Sequence, residues 1–250
     1  MANTGNATVG VSVCFISDLH LSPRTPALRE RFCRFLQTRA RQAEALYILG
    51  DLFEYWIGDE QGIRDFAAEI HALKALTDAG VPVYFQHGNR DFLLGARFCR
   101  STGVEILPDP WILQWRGQDI MLSHGDRFCT DDVAYQRWRR FSRLSWAQWL
   151  FLRLPPQARR RIAGGLQQQS DGSKAKKSPQ IMDVNPSAVK HAMHTARVKT
   201  LIHGHTHRPA DHHICLDGQS LTRVVLADWR NRRCELVFLD DDGHRREVLR

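Results

Sequence analysis

An α/β sandwich is the fold this sequence predicts, and three observations predict it. Short apolar runs alternate with segments of helical spacing over the first hundred residues. Those runs end abruptly in Asp, Asn or His, the place where α/β folds collect ligands, at the carboxyl ends of strands. The last forty residues alternate apolar and polar side chains, as half-buried strands do.

Each element follows in order. Residues 11–17, V-S-V-C-F-I-S, read as a buried strand ending at Asp18. Residues 26–43 place Leu28, Phe32, Phe35 and Leu36 at helical spacing. A-L-Y-I-L at 45–49 is a second buried strand, closed by Gly50 and Asp51. Residues 63–79 are helical, and Gly80 stands where a helix stop belongs. V-P-V-Y-F at 81–85 is a third strand, leading into H-G-N-R-D. Residues 111–115 and 119–123 pair as a hairpin around Gly117, and His124 follows. From about 126 to 180 no strand is evident. That stretch is rich in Arg and Trp, breaks at Pro155 and Pro156, and trails into Q-Q-Q-S-D-G-S-K-A-K-K-S-P. It predicts a helical insertion followed by a flexible polar loop. The α/β pattern resumes with a helix at 186–196 and a strand at 200–202 that runs into H-G-H-T-H. Strands follow at 210–216, 220–227 and 233–239. The division is therefore a flexible N-terminus at 1–10, a core at 11–125 and 181–250, and an insertion at 126–180.

Bulk properties narrow the class. Apolar residues make up 43% and charged residues 25% of 250, ordinary for a folded chain with a sizeable core. No apolar run reaches the ~18 residues of a membrane span. The polar N-terminus lacks the basic start and apolar block of a signal peptide. The six cysteines are scattered without a C-x-x-C pair and read as reduced, buried thiols, which points to the cytoplasm. The net charge of +8 is concentrated: residues 127–177 hold twelve Lys and Arg against three Asp. A nearly neutral body with one basic segment argues against a general nucleic-acid binder.

Five short motifs sit at strand ends: D-L-H (18–20), G-D (50–51), G-N-R-D (88–91), H-G-D (124–126) and G-H-T-H (204–207). Their donors are carboxylate or amide oxygen and imidazole nitrogen, without cysteine. That mix suits Mn, Fe(II), Zn, Co or Mg. Residues two apart on an extended segment point the same way, so Asp18 and His20 can share one ion, as can His205 and His207. Asp51 has two oxygens and can bridge.

The ordered set D-x-H, G-D, G-N, H, G-H-x-H resembles the calcineurin-like metallophosphoesterases. Longer runs (I-S-D-L-H-L, the 49–59 segment L-G-D-L-F-E-Y-W-I-G-D, H-G-N-R-D-F-L, I-M-D-V-N at 181–185, H-G-H-T-H-R-P) are similar to the branch that hydrolyses UDP-2,3-diacylglucosamine in lipid A synthesis. The resemblance covers roughly residues 11–240. It implies a four-layer αββα sandwich with a helical cap. It implies two Mn2+ ions, Mg2+ or Co2+ being alternatives. Asp18, His20, Asp51 and His207 would hold the first, and Asp51, Asn89, His124 and His205 the second. Asp51, Asn89, Arg90 and His124 carry catalysis, with hydroxide attacking the α-phosphorus to give UMP and 2,3-diacylglucosamine 1-phosphate. Substrate contacts fall on Asn89, Arg90, Asp132, Ser170, Lys174, Lys177 and His205. The partners implied are the lipid-linked nucleotide and an anionic membrane surface, with no nucleic acid, for a monomer peripheral on the cytoplasmic face of the inner membrane. Arg90 departs from the wider superfamily, where His is common. Arg does not donate a proton at neutral pH, but a phosphate leaving group, whose second pKa is about 6, departs unaided, and a guanidinium can hold its charge by a fork of hydrogen bonds.

Blander readings apply elsewhere. His203 reads as a strand-end residue beside the ligands. Asp91 and Asp126 read as partners that orient ligands, and Glu54 and Asp59 as loop or capping residues. The Trp- and Arg-rich stretch is either a helix packed on the body or a cap for acyl chains with a membrane-facing basic surface. A nuclease or protein phosphatase of the same superfamily, and a non-catalytic module that has lost its ligands, are the competing functions. Arg90 counts against the first and the intact ligand set against the second.

Overall fold

The structure is a computed structural model that describes residues 12–174, 183–216, 218–230 and 233–249. The N-terminal ten residues and Lys177 lie outside them, and so do the side chains of Ser170 and Lys174.

Two sheets face each other. The first has the order β11-β10-β1-β2-β3-β4, from β1 (Val13–Ile16), β2 (Ala45–Ile48), β3 (Val83–Gln86), β4 (Glu105–Leu107), β10 (Cys234–Asp240) and β11 (Gly243–Leu249). Its β1 to β4 are mutually parallel. The second has the order β5-β6-β7-β9-β8, from β5 (Trp111–Trp115), β6 (Gln118–Ser123), β7 (Thr200–His203), β8 (Ala210–Leu216) and β9 (Gln219–Val225), with β6, β7 and β9 parallel.

The alternation of side chains along each strand builds four layers. In β1 and β2, Cys14, Ile16, Leu46 and Ile48 face a core shared with α1 (Pro26–Gln37) and α3 (Ala67–Asp78). Val13, Phe15, Ala45 and Tyr47 face the second sheet, meeting Ile120, Leu122, Ile202 and Val224. On that sheet's other side, Met121 and Leu201 pack on Val189 and Met193 of α8 (Pro186–Thr195). Strands buried on both faces read as continuous apolar runs, which is why β1 and β2 were legible in the sequence.

Several boundaries differ from the sequence reading. The predicted 63–79 helix is two, α2 (Asp59–Asp65) and α3, and the predicted 26–43 helix ends at Gln37 before a 3-10 turn at Ala40–Gln42. β4, β11 and α4 (Ala96–Thr102) escaped the reading. The insertion holds α5 (Val133–Ser142), α6 (Ser145–Arg153) and α7 (Pro156–Lys174). α7 opens on a proline, the favoured first helical residue. It continues through Gln167–Lys174, where a loop was expected: Gln and Lys are adequate helix formers once a turn is nucleated. The cysteines are all free, but Cys215 is exposed rather than buried. Among the described residues no helix is long and apolar enough to cross a membrane.

Candidate metal centre

Asp18, Asp51, Asn89, His124 and His205 each follow the carboxyl end of a parallel strand, β1, β2, β3, β6 and β7 in turn. The facing sheets therefore bring five loops to one place. Asp18, His20, Asp51, His205 and His207 have positive φ between 49° and 69°. Among the described residues only Arg116 and Arg197 otherwise do so without being glycine. Left-handed backbone is costly for these residue types and persists where the surrounding structure over-determines it. The pairing of Asp18 with His20 thus comes from a left-handed turn beyond β1, not from strand alternation.

Each carboxylate has one oxygen pinned and one aimed inward. Asp18 Oδ2 accepts from the Ser17 hydroxyl at 2.6 Å and the His205 backbone N–H at 2.8 Å. Its Oδ1 is buried without a hydrogen-bond partner among the described residues, 3.3 Å from His207 Nε2 and 4.0 Å from His20 Nε2. Asp51 Oδ1 accepts from the Arg90 backbone N–H at 2.9 Å. Its Oδ2 stands 3.9 Å from His20 Nε2 and 3.8 Å from His124 Nε2, and Asn89 Oδ1 is 3.3 Å from that same nitrogen. Two groups result, Asp18–His20–His207 and Asp51–His124–His205, with ligand atoms in each within 4.8 Å of one another. His205 and His207 fall in different groups, so the spacing argument that they share one ion fails. The turn between them sends alternate side chains apart.

The imidazoles are held from behind. His124 Nδ1 lies 2.8 Å from the Leu49 carbonyl oxygen and His20 Nδ1 3.2 Å from Glu54 Oε2, which leaves each Nε2 lone pair facing the site. His207 Nδ1 is 3.8 Å from Asp228 Oδ2. Glu54 is therefore part of the site, correcting its reading as a loop or capping residue. The backbone bridge between Leu21 and Phe53 sets the two loops side by side and turns Glu54 toward His20. Asp228 carried no sequence signal at all. Asp59 does cap: its carboxylate accepts from the N–H groups of Gly95, Arg97 and Phe98 at the start of α4. Asp91 accepts from the backbone N–H groups of Asp51, Leu52, Phe53 and Gly88, fastening the two loops together. Two glycines are fixed by close approach. A Cβ on Gly88 would overlap Asp51 Oδ1, and one on Gly204 would overlap Asp18 Oδ2 and Ser17 Oγ.

Electrostatics match a cation site. Burial opposes ionisation of Asp18, but the close approach of His207 and the charges of His124, His207 and His20 outweigh it and hold the carboxyl below its ordinary range. Burial likewise opposes charging of His124, yet Asp51, Asp18 and Asp126 push it up to about 9. His205 is lowered to about 4, by burial first and then by His124. Anionic oxygens and imidazole nitrogens converging on two points, with a buried carboxylate oxygen left over and a metal ion able to take the place of the proton on His124, fit two divalent ions of borderline hardness.

The other expected residues lie around this centre. Arg90 Nη1 is 3.8 Å from Glu54 Oε1. Asp132 caps α5, accepting from the Tyr135 N–H. The Tyr135 ring stacks near His205 at 6.1 Å, and its hydroxyl donates to Asp126 at 2.6 Å. Arg139 and Arg143 also reach Asp126, tying α5 to the second group. His203 ends β7, buried, and burial foremost lowers it to about 3, so it stays neutral.

Comparison with known proteins agrees with this arrangement. The family model described as Calcineurin-like phosphoesterase matches residues 11–209. Relatives named UDP-2,3-diacylglucosamine hydrolase include one from Pseudomonas aeruginosa, 46% identical over 94% of this chain and 98% of its own. One from Klebsiella pneumoniae is 47% identical over 93% and 97%. One from an Enterobacter strain is 49% identical over 88% and 92%.

Proposed function

The chain belongs to the calcineurin-like phosphoesterase family, and we propose that it cleaves the pyrophosphate of UDP-2,3-diacylglucosamine at the α-phosphorus, giving UMP and 2,3-diacylglucosamine 1-phosphate. The observation that carries the reading is Asp51 Oδ2, set almost equally between His20 and His124, at the junction of two ligand groups. Asp18, His20, Asp51 and His207 would hold one ion, and Asp51, Asn89, His124 and His205 the other. Two Mn2+ ions held there would supply an acidified water and neutralise phosphate charge.

The chain's own residues do the rest. Asn89 and His205 stand beside the bridging carboxylate, where they can position the α-phosphate. Arg90, which is mostly shielded from solvent, offers its guanidinium to the departing phosphate, whose low second pKa removes the need for a proton donor. Asp132, Ser170, Lys174 and Lys177 lie in the insertion and contact the substrate.

The insertion, residues 126–180, acts as a cap for the acyl chains. Trp138, Phe141, Leu144, Trp146, Trp149, Leu150 and Leu152 are all exposed on α5, α6 and the turn between them. So many large apolar groups left in water on neighbouring helices mark a binding surface. Phe151, by contrast, turns inward onto the body. With the exposed Arg137, Arg140 and Arg153 interspersed, the same surface fits a monomer resting peripherally on the anionic cytoplasmic face of the inner membrane. The test is purified protein with UDP-2,3-diacylglucosamine, with and without Mn2+, read by product masses. UMP and the diacylglucosamine phosphate should appear only with metal, and an uncleaved substrate would refute the proposal.

A further inference from the structure

A cavity of about 200 Å³ opens beside Thr206 and Arg208, the residues on either side of His207. α5 lies over the group containing His205, through the Tyr135 ring and the Arg139 and Arg143 contacts to Asp126. α7 reaches the Glu54 side, where Gln167 Nε2 donates to Glu54 Oε1 at 2.8 Å. The chain leaving His207 makes Arg208 and Pro209 walls of the cavity, with His212 and Arg223 on the adjacent strands β8 and β9.

Its polar groups are under-used. Arg223 Nη1 is buried with no hydrogen-bond partner among the described residues, and the same holds for Thr206 Oγ1, between the two ligand histidines. A buried N–H on a guanidinium without an acceptor is costly, and native proteins seldom leave one so. The cavity is not built for a second phosphate. Asp183 lines it, its Oδ2 paired with Arg208 at 2.8 Å, and would repel an anion. His212 is held toward its neutral form, by burial first and Arg223 next. A flat, uncharged ring with carbonyl acceptors suits the combination of Arg223, a carboxylate at the wall and the apolar faces of Pro209, Ala210 and Val225.

We infer that this cavity receives the uracil ring of the nucleotide, with Arg223 donating to uracil O4. The inference rests on the reading that the substrate is a uridine diphosphate ester. The nucleoside is attached to the α-phosphorus, so it must lodge within one ribose of the metal centre. The cavity lies within that reach, because Thr206 and Arg208 flank His207. Cytosine presents an amino group where uracil presents O4, so a guanidinium there would set donor against donor. Arg223 is thus a specificity-determining residue.

Calorimetric titration of UMP, CMP and ribose 5-phosphate into the manganese-loaded full chain tests this. UMP should bind at least about tenfold more tightly than either of the others. Arg223→Met should reduce UMP to the level of CMP, and the ratio of the two constants cancels any general disturbance of the centre. Ala210→Leu, which fills the cavity from β8 without altering Arg223, should do the same and serves if the first variant does not fold. Equal affinity for UMP, CMP and ribose 5-phosphate in the unaltered protein, or an undiminished UMP preference in both variants, overturns the inference. The two readings fail separately. A protein that prefers UMP but leaves UDP-2,3-diacylglucosamine intact refutes the lipid substrate and keeps the cavity. One that cleaves the lipid without preferring UMP does the reverse.

Discussion

Removing the Glu54 side chain should weaken one metal site and spare the other. Its Oε2 is 3.2 Å from His20 Nδ1, and its Oε1 is 3.8 Å from Arg90 Nη1 and accepts from Gln167. Burial works against its ionisation, but the bond to His20 and the charges of His20 and Arg90 hold the carboxyl below its ordinary value, so it is an anion at neutral pH. That anion fixes the His20 ring with Nε2 turned toward Asp18 Oδ1 and Asp51 Oδ2, at 4.0 and 3.9 Å. In Glu54→Ala the ring can rotate and its basicity falls. Loss of such an outer partner typically costs roughly 10–100-fold in metal affinity, or about 1.4–2.7 kcal/mol. His124 keeps its own support from Leu49, so the second site should be little changed. Glu54→Gln should lose less, because an amide oxygen still accepts from Nδ1–H with roughly half the strength of a carboxylate. Calorimetric titration of metal-free protein with Mn2+, backed by elemental analysis at limiting metal, should show two sites in the parent and one weakened site in Glu54→Ala. Unchanged binding of both ions, or equal weakening of both, would refute the argument that Glu54 acts through His20.

The remaining predictions concern the bridge, the loops, the bond cleaved and the insertion. Asp51→Ala should lose both ions by elemental analysis and cut turnover by several orders of magnitude; retention of two metals with a near-normal rate contradicts the bridging assignment. Gly88→Ala should do nearly as much harm, because the new methyl displaces Asp51 from where Arg90 N–H holds it, and metal content is again the readout. Hydrolysis in 18O-water should label UMP, whereas label in the sugar phosphate would place the attack on the other phosphorus. For membrane binding, Arg160 and Arg161 are the exposed pair, whereas Arg159 is buried and donates to the Ile57 carbonyl at 2.6 Å, so it belongs to the packing of α7. Arg160→Ser with Arg161→Ser should weaken binding to anionic vesicles by about 2 kcal/mol, roughly 30-fold at low salt, and the difference should shrink as salt rises. Vesicle binding that ignores both changes would leave the insertion without its electrostatic role.

The sequence by itself determined the candidate ligands and the layers that carry them. D-L-H, G-D, G-N and G-H-T-H are local, and the buried strands before them are uninterrupted apolar runs, so both are legible without knowing what packs on what. It did not show β4 or β11. The first has only three residues, one of them buried, and the second lies at an edge where Arg245, Arg246 and Glu247 erase the alternation. Spacing alone could not allocate the ligands; the resemblance set His205 and His207 at different ions, and the tertiary structure supplies the reason. His205 and His207 are two apart in sequence, yet left-handed backbone at both and the meeting of two sheets send them to different groups. Glu54, read as a loop residue, becomes the support of His20 only because two strand-end loops lie side by side, and Asp228 reaches His207 only because β9 delivers it there. Residue type and spacing report what a segment can do alone. Which oxygen faces which nitrogen depends on backbone dihedrals and on the register between sheets, and those are fixed by packing across long sequence distances.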